Sequence, residues 1–119
     1  MFSFENLLVY QKARILVKAV YKVQRQFPAD ERYVLGDQIR RSITSVTSNI
    51  AEGSGRESFK EKIHFLEISF GSLMEAFSQL QNAQDIDYIS ESDVESLRPM
   101  FEEISKMIFG LKASFQQKL

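Results

Sequence analysis

The 119-residue chain has no cysteine and no tryptophan, and only two prolines and five glycines. Without thiols there is no disulfide, no thiolate nucleophile and no cysteine-based zinc site, a composition that suits a reducing cytoplasm. Nowhere do about 18 uncharged apolar residues run together, and Met1-Phe2-Ser3-Phe4-Glu5-Asn6 lacks a basic stretch followed by an apolar one. Neither membrane spanning nor secretion is therefore expected. There is no linker, repeat or low-complexity segment, and no segment alternates apolar and polar residues long enough to support β-structure. A net charge of -1 argues against a surface that is basic all over, as a general counterion for nucleic acid or acidic lipid would need.

What is present is helical periodicity. Hydrophobic residues make up 44% of the chain, enough for one continuous core, so a single domain over residues 1–119 is expected. Val9, Ala13, Leu16, Val20, Val23 and Phe27 step by three and four, one stripe of a helix that stops at Pro28. Asp30 then reads as the cap of a second helix, with Leu35, Ile39, Ile43, Val46 and Ile50 as its stripe and Gly53 and Gly55 as its end, Gly53 in a left-handed cap. Ser58 and Glu61 have the spacing of a capping box before a third helix striped by Phe59, Ile63, Leu66, Phe70, Leu73, Phe77 and Leu80. After a polar lapse from Asp85 to Ser92, Val94, Leu97, Phe101, Ile104, Ile108, Leu111 and Phe115 mark a fourth. Pro99 falls in its early turns, where a kink is expected. Four amphipathic helices joined by short loops predict an all-α, antiparallel up-down-up-down four-helix bundle.

Charge is unevenly placed along this pattern. Residues 1–55 carry eight Lys/Arg against five Asp/Glu, leaving the acidic excess in the second half. Arg14, Lys18, Lys22 and Arg25 follow at spacings of four, four and three, a ladder on one side of the first helix. With Arg40 they are the candidate phosphate contacts. A ladder of this kind is most often a solvated face, but repeated by symmetry in an oligomer it adds up to a salt-dependent surface for RNA or DNA.

No reaction is identified. Arg41, Asn49, Glu52, Arg56 and Glu75 read as a structural polar network that fixes the turn and helix register, with a ligand or catalytic pocket around Arg41, Glu52, Arg56 and Glu75 as the alternative. No nucleophile, phosphate loop or second histidine accompanies them. His64, with Glu61 three residues before it, half-matches the Glu-x-x-His element of bundle metal sites and reads as a surface residue. Ser54-Gly55-Arg56 lacks the spacing and lysine of a P-loop, although Arg56 and Lys60 leave anion binding open. No cofactor, metal or enzymatic activity is expected. After the stripes are assigned, Phe2, Phe4, Leu7, Tyr10, Ile15, Tyr21, Tyr33, Phe65, Ile68, Met74, Met107 and Phe109 remain, too many to leave scattered on a small monomer, although some must cover seam edges. Phe65 and Ile68, on a second face of the third helix, are the expected oligomer interface.

Several segments together resemble one family: Val9-Tyr10-Gln11-Lys12-Ala13, Gln38-Ile39-Arg40-Arg41-Ser42, Asn49-Ile50-Ala51-Glu52-Gly53-Ser54-Gly55-Arg56 and Phe65-Leu66-Glu67-Ile68-Ser69-Phe70-Gly71-Ser72-Leu73-Met74-Glu75. They resemble the 23S rRNA-intervening-sequence proteins, bacterial four-helix bundles named for genes within insertions in 23S rRNA genes. The resemblance implies a ring-shaped homopentamer and no enzyme. A related branch resembles the accessory proteins of diversity-generating retroelements, basic pentamers that bind nucleic acid and a reverse transcriptase; this chain departs from them in net charge. The resulting expectation is a cytoplasmic, non-enzymatic homopentameric scaffold that presents a repeated surface to a protein partner or, weakly, to RNA or DNA.

Overall fold

A computed structural model describes residues 1–119 and contains helices without strands. A 3-10 turn at Ser3–Asn6 leads into α1 (Leu8–Gln24), and a second at Ala29–Glu31 precedes α2 (Leu35–Ser54), α3 (Phe59–Asp85) and α4 (Glu91–Gln116). Side-chain pairings fix the topology. Between α3 and α4, Phe59 meets Phe115, Phe70 meets Phe109 and Phe77 meets Phe101, so partners run in opposite order. Between α2 and α3, Ser42 bonds Gln79, Ser45 bonds Ser72 and the Val46 carbonyl accepts from Ser69. Lys12 of α1 pairs with Glu103 of α4, whereas Gln26, just past α1, reaches Asp93 at the start of α4. These pairings describe the antiparallel up-down-up-down bundle, with α4 returning beside α1.

The stripes read from the sequence form one core, in which Leu16, Ile39, Ile43, Leu73 and Leu80 are wholly enclosed. Burying each such side chain contributes about 1.5–3 kcal/mol against the entropy of ordering the chain. On α3 the buried stripe is rotated from the expected one. Ser69, Ala76 and Ala83 are enclosed, while Phe59, Phe70 and Phe77 are half-buried on the flank toward α4. The physical reason is that α3 packs against two neighbours through different side chains. Ser69 and Ser72 bond directly to α2, while the phenylalanines pair with those of α4.

Both ends of α2, and the place of Pro99 in α4, differ from expectation. Asp30 lies in the second 3-10 turn, four residues ahead of Val34, which precedes α2 without any side-chain cap. The segment after Pro28 turns before it becomes α-helical, so Asp30 is too early to reach α2's free N–H groups. Gly53 is not a left-handed cap: α2 continues through Ser54 to Gly55, and no glycine has positive φ. Its role is a close approach, since a Cβ there would stand 2.7 Å from the Phe65 Cβ on α3. Pro99 lies more than two turns inside α4, which runs on through it. Proline has no N–H for the Glu95 carbonyl, and both residues are exposed, so water can serve that carbonyl instead.

At the other ends local chemistry agrees with position. Ser58 accepts the Glu61 N–H at 3.1 Å, while the Glu61 carboxylate meets the Ser58 hydroxyl rather than its backbone, leaving the box half formed. The end of α3 is a Schellman motif, with Tyr88 N–H donating to the Ala83 carbonyl and Asp87 N–H to that of Gln84. Asp87 takes the left-handed position, φ 65°, that glycine usually occupies. Ser90 then opens α4 with a full capping box, accepting the Asp93 N–H at 3.1 Å while Asp93 accepts the Ser90 N–H at 2.9 Å. That backbone donor is the main reason the Asp93 carboxyl is held below the usual carboxylate range; partial desolvation opposes it. Ser90→Ala is expected to cost about 1 kcal/mol in chemical denaturation at neutral pH. Because the folded-state pKa of Asp93 is depressed, its contribution is full above the unfolded pKa and is lost as pH falls through the folded one. The stability gap between wild type and Asp93→Ala should therefore shrink in acid, and a gap independent of pH would contradict the cap.

Candidate functional site

Arg14, Lys18 and Lys22 project from the side of α1 opposite its buried residues, with Arg25 at its C-terminal cap. At about 100° per residue the four lie within roughly 80° of arc. All are exposed, and none joins an ion pair. The helix itself, Leu8–Gln24, contains no Asp or Glu. Its outward face is therefore positive without internal compensation. The acidic residues of the second half do not cancel it locally, because charges on exposed groups are screened within about 8 Å at physiological salt.

Arg40 does not belong to this ladder. Its guanidinium is only partly exposed and donates to Gln24 Oε1 at 2.8 Å, the Arg32 carbonyl at 2.7 Å and Asp37 Oδ1 at 3.3 Å. With both terminal nitrogens engaged, it ties the loop between α1 and α2 to the buried end of α1, and a phosphate would compete with those bonds.

The five residues grouped as one polar network separate into local contacts. Arg56 pairs with Glu52 at 2.8 Å and lies 4.8 Å over the Phe65 ring. Asn49 donates to the Ser45 carbonyl and hydroxyl, Arg41 reaches Asp37 at 3.4 Å, and Glu75 accepts from Gln79 at 3.4 Å. Arg41 and Glu52 are eleven residues apart on one helix, about 16 Å along its axis, too far for a single ion-pair cluster. Arg41 and Glu75 do share a broad polar groove of about 490 Å³ between α2 and α3, with Gln38, Ser42, Ser45, Ser72 and Gln79. Glu52 and Arg56 stand outside it. Of the parts supplied by α3, Glu75 was read from the sequence, while Ser72 and Gln79 were missed. Ser69, Ser72 and Ala76, small residues beside the apolar stripe, were the available signal.

Phe65 is half-buried, packed on Gly53 and roofed by Arg56, whereas Ile68 is exposed. Met74 and Phe109 are also about half exposed, and Phe109 borders a cavity of about 310 Å³ with Phe70, Glu67 and Lys112. Leu7, Tyr10, Tyr21 and Met107 instead pack against the core. His64 is exposed with its ring edge to Phe65. Arg56 is occupied as described, and Lys62 donates to the Ser54 carbonyl at 2.9 Å, so the α2–α3 turn is held by its own side chains. No three His, Cys, Asp or Glu residues are grouped to hold a metal ion, and no helix is long and apolar enough to cross a membrane.

Residues 5–110 match the model of the 23S rRNA-intervening sequence protein family. The chain belongs to that family. Among solved structures, this member of the 23S rRNA-intervening sequence protein family is similar to a protein of unknown function from the S23 ribosomal protein family of Bacteroides thetaiotaomicron. The TM-score is 0.80 at 24% identity, over 88% of this chain and 98% of that one, a likeness of fold. No curated protein matches the chain.

Proposed function

We propose that this protein is a non-enzymatic cytoplasmic scaffold that assembles into a homopentamer and presents its α1 helices together to an anionic partner. The observation that carries this reading is the clustering of unpaired cations on one face of α1. Arg14, Lys18, Lys22 and Arg25 lie together there without carboxylate partners, whereas Arg40, Arg41, Arg56 and Arg98 are paired and the other unpaired cations, such as Arg32, Lys60 and Lys106, lie on separate elements. Exposed Ile68, Met74 and Phe109 favour association, since a monomer of this size gains by burying such surface. Repetition around a ring then turns one modest patch into many phosphate contacts. The family's name associates its genes with ribosomal RNA and leaves its partners open.

Nucleic-acid binding on this reading is weak, tolerant of sequence and dependent on assembly. Fluorescence anisotropy with short single-stranded RNA and DNA of mixed sequence tests it. The logarithm of affinity should fall linearly with the logarithm of salt concentration, with little preference for sequence or sugar. Tight binding insensitive to salt would contradict the mechanism. Absence of binding at low salt would remove nucleic acid as the partner and leave the scaffold to a protein.

A further inference from the structure

Beside the basic ladder, α1 and α4 enclose a cavity of about 170 Å³ lined by Lys12, Ile15, Met100, Glu103 and Ile104. Ile15 is 61% exposed. It also borders the shallow concavity it shares with Gln11, Arg14 and Lys18, so one aliphatic side chain forms the ridge between an apolar cleft and two unpaired cations. Lys12 and Glu103 close one edge of the cleft with a 2.7 Å ion pair and neutralise each other. The charge presented outward is then that of the ladder.

Phosphates alone would use the cations and leave Ile15 without a partner. Nor does this face offer a platform for a stacked base, because Tyr10 and Tyr21, the aromatic residues of α1, are half-buried against the core. We infer that the α1–α4 groove docks an acidic protein segment bearing one aliphatic or aromatic anchor. The anchor covers Ile15 and enters the cleft over Met100 and Ile104, while carboxylates reach Arg14, Lys18 and Lys22. Cations four residues apart on a helix are about 6 Å apart along its axis, the same interval as carboxylates at i and i+4 on a partner helix. Opposite charge aligns the two segments, and the anchor supplies the contact that a simple polyanion lacks. The inference rests on the reading of α1 as the face for an anionic partner, and names that partner.

The test uses the full chain and three labelled probes: a synthetic helical peptide with three Glu at i, i+4 spacing and one Leu on the same face, the same peptide with Ser for Leu, and a single-stranded RNA of similar length. The Leu peptide should bind about tenfold more tightly than the Ser peptide, the scale expected for burying one such side chain. Ile15→Ser should erase that difference while leaving the Ser peptide and the RNA unchanged. Ile15→Gln, which keeps helix propensity, gives the same answer should serine loosen α1. Equal binding of the two peptides, or an unchanged preference in the Ile15 variants, overturns the proposal, as does RNA binding more tightly than the Leu peptide. Those results spare the broader reading of α1, which fails only if neither peptide nor RNA binds at low salt.

Discussion

Replacement of Arg14, Lys18 and Lys22 by Glu is expected to reduce binding of an anionic partner at least about 100-fold, with helical content preserved. Three attractive contacts are removed and three repulsive ones introduced on each protomer. For single-stranded nucleic acid each neutralised phosphate contributes about 0.7 to the slope of log affinity against log salt, so losing three flattens it by about 2 per engaged protomer. The fold should tolerate the change because these side chains are exposed and unpaired, and surface substitutions of this kind usually stay within about 0.5 kcal/mol each. Retained affinity in a folded triple variant would show that the partner binds elsewhere.

Gly53→Leu is expected to destabilise the bundle by about 2–3 kcal/mol, lowering the melting temperature by roughly 10 °C. Even the first added carbon would meet the Phe65 Cβ at 2.7 Å, with the Lys62 carbonyl at 3.5 Å behind it. Relief would require α2 and α3 to move apart along a seam that Ser42, Ser45, Ser69 and Ser72 hold together by hydrogen bonds. Removing a glycine from a helix interior works the other way, by about 0.5–1 kcal/mol, and is too small to win. Gly71 is the control: nothing lies within 4 Å of a Cβ there, so Gly71→Ala should be stabilising. Melting of Gly53→Leu at the wild-type temperature would mean that the close approach does not constrain the helices.

The fold was legible because helical periodicity records burial directly. Val9 through Val23 and Val94 through Ile108 point inward as their spacing implies. Helix ends were less legible, because glycine, aspartate and proline each serve more than one purpose. Gly53 gives clearance within a helix rather than a left-handed turn, and Asp87 takes the turn conformation where glycine is the usual sign. The α1 ladder could be read from spacing alone, since four exposed cations on one helix need no tertiary information. Arg40 could not. Its partners Gln24 and Arg32 are sixteen and eight residues away, and only the fold of the α1–α2 loop shows that its terminal nitrogens are engaged. The polar network failed for a related reason: residue types suited to ion pairing say nothing about whether about 16 Å of helix separates them.

The most direct test of the scaffold is the molar mass of the purified chain at micromolar concentration, by multi-angle light scattering or equilibrium sedimentation. The expected result is one species near five times the 13.8 kDa of a single chain, roughly 69 kDa, persisting on dilution. A stable monomer would contradict the account, because the α1 ladder would then act once rather than as a repeated surface.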